Sequence, residues 1–415
     1  MKSFLFILFI LTLQNSFAQT ISSVEFDGLT KTKESYLRSL IATKVNAPYD
    51  STVIGEDVFL LRNLNLFFHV ESSDSIGSDS LVQITFHIKE ANYFYPIFGV
   101  TGFKGQLKLT AGMNQINFLG RAQNLGVIYQ YYDRHSIAVF HSQKRHRNKL
   151  TGHDASLSKY SSVEPLYYND TVSSFNFDNY SGSAGIFFWL NNYTSVGVGG
   201  QYMVETLEQL DDAFDFGAKQ FTLYKTLGRT SLEFNKIEYI YEMLEGINAK
   251  IYGEYIGTKN HPEASFLKLT SKISWYKMVG YNGNLALNSN FGIATNNQSP
   301  FSPFVLDGLT NVRGVGNRVE RGTAEWIVNM EYRHTVYRND YFAIQAAVFT
   351  DYGTIRTPGE MFNTFFEKPE MHVYSGGGIR FNLKKWYNTC LRVDYSVNLT
   401  NTKQSGFTFG FGQFF

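Results

Sequence analysis

Arg313 and Gly314 sit in the one stretch of this 415-residue chain where charge is laid out as if to be held. The stretch, Phe304–Arg333, reads FVLDGLTNVRGVGNRVERGTAEWIVNMEYR. To about Gly322 it is rich in glycine and charge and follows no period. It then alternates strictly, with Trp326, Val328, Met330 and Tyr332 on one face and Glu325, Asn329, Glu331 and Arg333 on the other. Alternation with charge on one side only marks a β-strand between an apolar and a polar environment. A long irregular segment carrying a lone V-R-G ahead of such a strand suggests a plug inside a barrel. Arginine suits that use, since its guanidinium offers donors in several fixed directions.

Other chemistry is sparse. There is no G-x-S-x-G elbow, no H-E-x-x-H and no phosphate-binding glycine loop, and the nine histidines are scattered. The single cysteine, Cys390, allows neither an internal disulfide nor a cysteine-based zinc site. The expectation is therefore a protein that is not an enzyme and needs no metal or cofactor. A net charge of +1 gives no electrostatic case for nucleic acid. The one dense basic run, Gln143–Lys149 (QKRHRNK), reads as a solvated turn between strands. Contact with phosphate-bearing lipid or with the N-terminal domain is the alternative.

The elements that would position Arg313 follow from the chain in order. Met1–Ala18 has a lysine, a short apolar run and a small-residue end, as a secretory signal peptide does. Residues 20–91 have the order β-α-α-β-β. Thr32 is expected to cap the first helix and Asp50 or Ser51 the second. From residue 92 to 415, segments of about ten residues alternate apolar and polar, the pattern of a transmembrane β-barrel. Leu391, Val393, Tyr395 and Val397 oppose Arg392, Asp394, Ser396 and Asn398. A soluble sandwich would leave many such inward charges in a dry core.

With the N-terminal domain and the C-terminus on one side of the membrane, the strand number must be even. Counting Tyr93–Val100 first gives sixteen antiparallel strands. Phe216–Leu227 is then expected to belong to a long loop from Glu205, and the loop bearing Arg313 spans about 294–322. In the last segment, GFTFGFGQFF, Phe407, Phe409, Phe411 and Phe415 share one expected lipid face.

The fold class expected is thus an all-β transmembrane barrel of 16 antiparallel strands with a small N-terminal α/β domain. That domain, with Val24–Gly28 (VEFDG), Leu66–Val70 (LFFHV) and Ile88–Glu90 (IKE), resembles a POTRA (polypeptide-transport-associated) domain. Leader, POTRA-like unit, barrel, V-R-G loop and terminal Phe together resemble the outer-membrane protein eighty-five superfamily, the bacterial surface antigen family of barrel assembly and two-partner secretion. The resemblance implies an outer-membrane address with the POTRA-like domain in the periplasm. It also implies a role in moving polypeptide across, or inserting it into, that membrane. Implied partners are outer-membrane lipid, an extended polypeptide taken up by the POTRA-like domain and, as an alternative, other envelope assembly proteins. A passive diffusion channel and an accessory subunit of an assembly complex are the rival readings.

In such proteins the loop folds into the lumen and its arginine pairs with acids on the following strands. Here these are Arg313, Glu331 in N-M-E-Y and Asp351 in F-T-D-Y-G. Both acids fall on polar faces. If the hairpin between them turns near Arg338–Asn339 they are several residues out of register, so Arg313 is expected to reach one directly, Asp351 before Glu331. The terminal phenylalanines Phe409, Phe411 and Phe415 resemble the family's membrane-insertion signal. Three departures stand out: Asp307-Gly308 where the family has two glycines, Val315 where it has an aromatic, and a single POTRA-like unit.

Overall fold

The computed structural model describes residues 19–415 except 78–80, 104–105, 148, 169–170, 214–216, 241, 262–263, 298–301, 317, 363–370, 384–388 and 401–403. The expected leader at 1–18 lies outside the described residues. The N-terminal domain is built on a sheet in the order β1 (Thr20–Asp27), β3 (Leu81–Glu90), β2 (Phe67–Ile76). β1 and β3 are parallel, and parallel neighbours need a crossover. Helices α1 (Glu34–Leu40) and α2 (Ser51–Arg62) supply it. Val82, Ile84 and Phe86, alternating along β3, are fully buried against Tyr36, Leu37, Leu40 and Leu61. Each such burial is worth roughly 1.5–3 kcal/mol.

Asp50 caps α2 by accepting from the Thr52 N–H at 2.8 Å. Thr32 does not cap α1, which begins after Lys33 with no side-chain cap. Its hydroxyl is engaged elsewhere, 3.0 Å from the Tyr93 hydroxyl and accepting from Asn117 at 2.9 Å.

The barrel strands are β4 (Phe94–Phe103), β5 (Gln106–Phe118), β6 (Gln123–Tyr132), β7 (Arg134–Gln143), β8 (Thr151–Tyr168), β9 (Thr171–Trp189), β10 (Thr194–Gln209), β11 (Gln220–Ile240), β12 (Met243–Thr258), β13 (Phe266–Val279) and β14 (Gly283–Ala294). After two short inner strands, β15 (Phe304–Leu306) and β16 (Glu320–Gly322), come β17 (Ala324–Arg338), β18 (Phe342–Arg356), β19 (His372–Leu383), β20 (Thr389–Asn398) and β21 (Ser405–Phe411). β4–β14 and β17–β21 form one 16-stranded sheet. Its ends, β4 and β21, lie side by side, and among the described residues no ladder joins them. Facing follows the alternation: Leu391, Val393 and Tyr395 are 46%, 42% and 42% exposed, whereas Arg392, Asp394 and Ser396 are 7%, 1% and 1%.

The expectation for residues 205–227 is overturned. Val204–Glu208 pairs with Gln220–Tyr224 in unbroken register, so β11 runs 21 residues and the connecting loop is confined to 210–219. A strand needs only about 9–11 residues to cross a bilayer. β8–β11 overshoot it, and their inner faces bury Leu166, Phe175, Leu207 and Leu223 as a small apolar core. Strand beyond the bilayer has no lipid to face, so its alternation is weak in sequence.

The N-terminal domain docks on the near rim of the barrel. Lys33 N–H donates to Gly120 O at 2.9 Å, and the buried Tyr36 hydroxyl donates to Arg145 O at 2.8 Å. Glu56 on α2 accepts from Asn192 (3.0 Å) and the Tyr193 hydroxyl (2.6 Å), while Phe59 packs on the Tyr193 ring at 4.7 Å. The basic run is therefore not a free solvated turn. Arg145 is 6% exposed, donates to Lys149 O at 2.8 Å and lies 3.8 Å over the Trp189 ring.

Glu90 anchors this junction. Its carboxylate accepts from the Thr30 hydroxyl and from the N–H groups of Lys31 and Thr32, both at 2.9 Å. Burial opposes the charge, but these hydrogen bonds outweigh it and hold the carboxyl at about 2. A carboxyl lowered on folding adds stability above its unfolded value of 4.5, lost as pH falls through about 2. Amide-exchange protection at Lys31 and Thr32, corrected for intrinsic rate, should therefore fall on acidification across that window. Glu90→Gln should flatten the dependence.

Candidate functional site

The connection from β14 to β17 turns inward instead of standing outside the rim. β15 and β16 pair as a short antiparallel ribbon, Phe304 opposite Gly322 and Leu306 opposite Glu320. The tip is organised by Asp307, one of the atypical positions. Its carboxylate accepts from Leu309 N–H (2.7 Å) and Arg318 N–H (3.2 Å), and its own N–H donates to Asn311 (2.8 Å). Leu306 and Val312 bury against Ile327, Ile355 and Tyr374, with Val315 and Val319 packed on the same cluster. Val315 thus fills an apolar seat.

This packing aims Arg313, which has no exposure, at the wall formed by β17, β18 and β20. Nε and Nη2 donate to the two oxygens of Asp351, each at 2.8 Å, and its backbone N–H donates to the same carboxylate at 3.0 Å. Nη1 donates to Glu331. Ser396 donates to the Arg313 carbonyl at 2.9 Å, and the guanidinium lies 3.5 Å from the Phe349 ring centroid. Gly314 has φ +84, and a Cβ there would collide with the Ser396 hydroxyl, so glycine is required on two counts.

Arg313 therefore reaches both acids, not one. The hairpin turns about two residues later than Arg338–Asn339, with a register shift between Thr335 and Tyr337, and Asp351 lies opposite Asn329. Glu331 is then only two residues off, a diagonal neighbour on the same face that one guanidinium can span. Asn329 fills the position between, donating to Asp351 (3.0 Å) and to Asn311 O (2.8 Å).

Further charges complete the cluster. Glu331 also accepts from Arg333 (2.7 Å) and Arg380 (3.0 Å), and Arg380 donates to Asp394 at 2.5 Å. Their signal in sequence was inward parity on β17, β19 and β20, which identifies a face without saying who pairs with whom.

The terminal phenylalanines divide. Phe407, Phe409 and Phe411 are 53%, 47% and 41% exposed on the outer face. Phe415 is not with them. Gly412, at φ +84, breaks the strand and its alternation. The chain then turns inward, so that Phe414 lies 4.5 Å from the Arg313 guanidinium and Phe415 lies 5.6 Å from that of Arg333.

Across the lumen, Arg318 and Arg321 meet Glu164 of β8 at 3.0 and 2.7 Å. Neither the clasp nor its acid stood out in sequence, since any inward residue of β8 was equally eligible. Removing Arg313 leaves Asp351 sealed without its cation and takes one of three arginines from Glu331, a loss of about 3–5 kcal/mol for a buried pair. Arg313→Ala should therefore lower the temperature at which the folded barrel loses its compact mobility on gels. Arg313→Lys should recover little, because one ammonium cannot replace donors in three directions.

Comparison with known proteins matches this geometry to a family. Residues 19–91 match the POTRA model, described as surface antigen variable number repeat, and residues 117–415 match the Omp85 superfamily domain. Among curated proteins none matches by sequence. Of solved structures, CdiB from Escherichia coli is 11% identical at a TM-score of 0.66, over 94% of this chain and 76% of that one. CdiB from Acinetobacter baumannii is 10% identical at 0.62, over 95% and 74%. BamA from Haemophilus ducreyi lacking POTRA domains 1–3 is 14% identical at 0.55, over 95% and 84%. At such identities the likeness is one of fold. The family-model match covers most of the barrel together with the ribbon, and on it this chain belongs to the Omp85 superfamily, as an outer-membrane barrel with its POTRA domain in the periplasm.

Proposed function

We propose that this protein moves extended polypeptide from the periplasm into or across the outer membrane, with the POTRA domain receiving the segment and the barrel guiding it. The family acts broadly in outer-membrane polypeptide insertion and translocation, and the finer assignment rests on the ribbon. A passive diffusion channel has no use for a ribbon tied to both sides of its lumen. A machine that must hold its lumen shut until engaged does. In this reading β2, an edge strand of the POTRA sheet, offers its outer backbone to an extended segment, a mode in which main-chain hydrogen bonds give affinity. A cavity of about 390 Å³ lies between α2 and the barrel wall, lined by Leu60 and Asn63 from the domain and by Arg229 and Glu233 from β11. No step is catalytic, and no cofactor is invoked.

In planar bilayers the purified protein should be closed or flicker briefly, and Arg313→Ala should open it. A large, steady pore in the unmutated protein would sink the reading and favour the channel. In cells, a photo-crosslinker at Ser75 on β2 should capture client polypeptide in the act of export. Capture of the same constant envelope proteins under every condition would instead support the accessory role.

A further inference from the structure

The ribbon is held at two places that are half a turn of the barrel apart. Counting round the 16-stranded sheet from β4, β8 is the fifth strand and β18 the thirteenth. Arg313 is fixed to β17 and β18. Arg318 and Arg321 are fixed to β8 by Glu164, whose carboxylate also accepts from Ser162 at 2.7 Å. Arg318 further donates to Val163 O (2.8 Å) and the Tyr160 hydroxyl (2.7 Å), and its guanidinium lies 4.5 Å from the Tyr132 ring. The ribbon thus spans a diameter.

The two anchorages differ in kind. At the Arg313 end the cation and both acids have no side-chain exposure, so breaking it strands dry charges. At the Glu164 end the three side chains keep 11–15% exposure, and water can take the place of each partner. One carboxylate there also serves two cations. Backbone geometry points the same way. Arg318 has φ +47, a left-handed conformation unfavourable for a residue with a Cβ, which persists only where the surroundings impose it. Gly314 (φ +84) and Gly316 (φ +116) lie between the anchorages and supply the freedom of a hinge. When the clasp lets go, Glu320 is still held by His372 of β19 at 2.9 Å, on the Arg313 side.

We propose that Glu164 is the releasable latch of the ribbon. The lumen opens on the β8 side as the Arg318 and Arg321 side chains leave Glu164, while Arg313 stays locked and β16 stays paired with β15. This rests on the reading above that the ribbon keeps the lumen shut, and it adds which end yields. Glu164 is a positioning residue, acting through Arg318 and Arg321.

Single-channel recording on the full-length protein tests it. Glu164→Gln keeps the shape of the side chain and removes its charge. It should raise the fraction of time open by roughly tenfold, with the heat-modifiable gel mobility of the barrel unchanged, and Arg318→Ala should do likewise. Reversing the charges, with Glu164→Arg alongside Arg318→Glu and Arg321→Glu, should return the protein to its closed state. A merely structural contact would not show that recovery. An E164Q protein as quiet as the unmutated one, or openings that charge reversal leaves in place, would overturn the latch. Conductance needs no client, so this result and the client crosslink stand or fall separately.

Discussion

A guanidinium shut away from water has to be answered on every side, and the lumenal face of β17–β20 can be read as the answer to Arg313. Asp351 takes two of its donors and Glu331 a third. The acids must themselves be shared out, so Glu331 binds two further arginines and Asp394 balances Arg380. The demand reaches the backbone. Only glycine fits at 314, and only a hairpin in its observed register places the two acids on one diagonal. Such clusters contribute little net stability compared with apolar packing, because desolvation consumes most of the attraction. What they add is uniqueness: shifting β17 by one residue would turn Glu331 and Arg333 to lipid.

Much of this was legible from residue order, for a physical reason. A strand between lipid and a polar lumen has its two faces dictated by solvent, so period-two alternation is enforced and parity assigns each side chain an inside or an outside. Parity puts Glu331 and Asp351 on the lumenal side, while their pairing with the arginine of the V-R-G is implied by the family resemblance. Pairing across the lumen could not be named, since Glu164 and Arg318 are 154 positions apart and nothing local links them. Alternation also misleads once the environment changes. It does not extend past Gly412 to Phe415, because the glycine ends the strand, and an even strand count assigns Phe216–Leu227 to a loop although Gln220–Leu227 is one strand with the residues that follow.

The POTRA domain forms part of the barrel's floor. Tyr36 lies in the core of that domain, yet its hydroxyl reaches the turn after β7, so one side chain belongs to both units. Thr32 is similarly committed, giving up a helix cap to join Tyr93 and Asn117. A domain that sacrifices local structure at its own helix start is oriented by the barrel, and its open strand β2 is held at a set position relative to the lumen.

The overlong strands have a mechanical meaning. β10 runs 16 residues without a break in register, about 50 Å of extended backbone. One end stands beyond the outer surface of the membrane and the other adjoins Tyr193, where Glu56 holds the POTRA domain. An extended chain has no slack. A pull on the cell's exterior would therefore meet little stretch along this side of the wall, which joins two compartments through continuous strand.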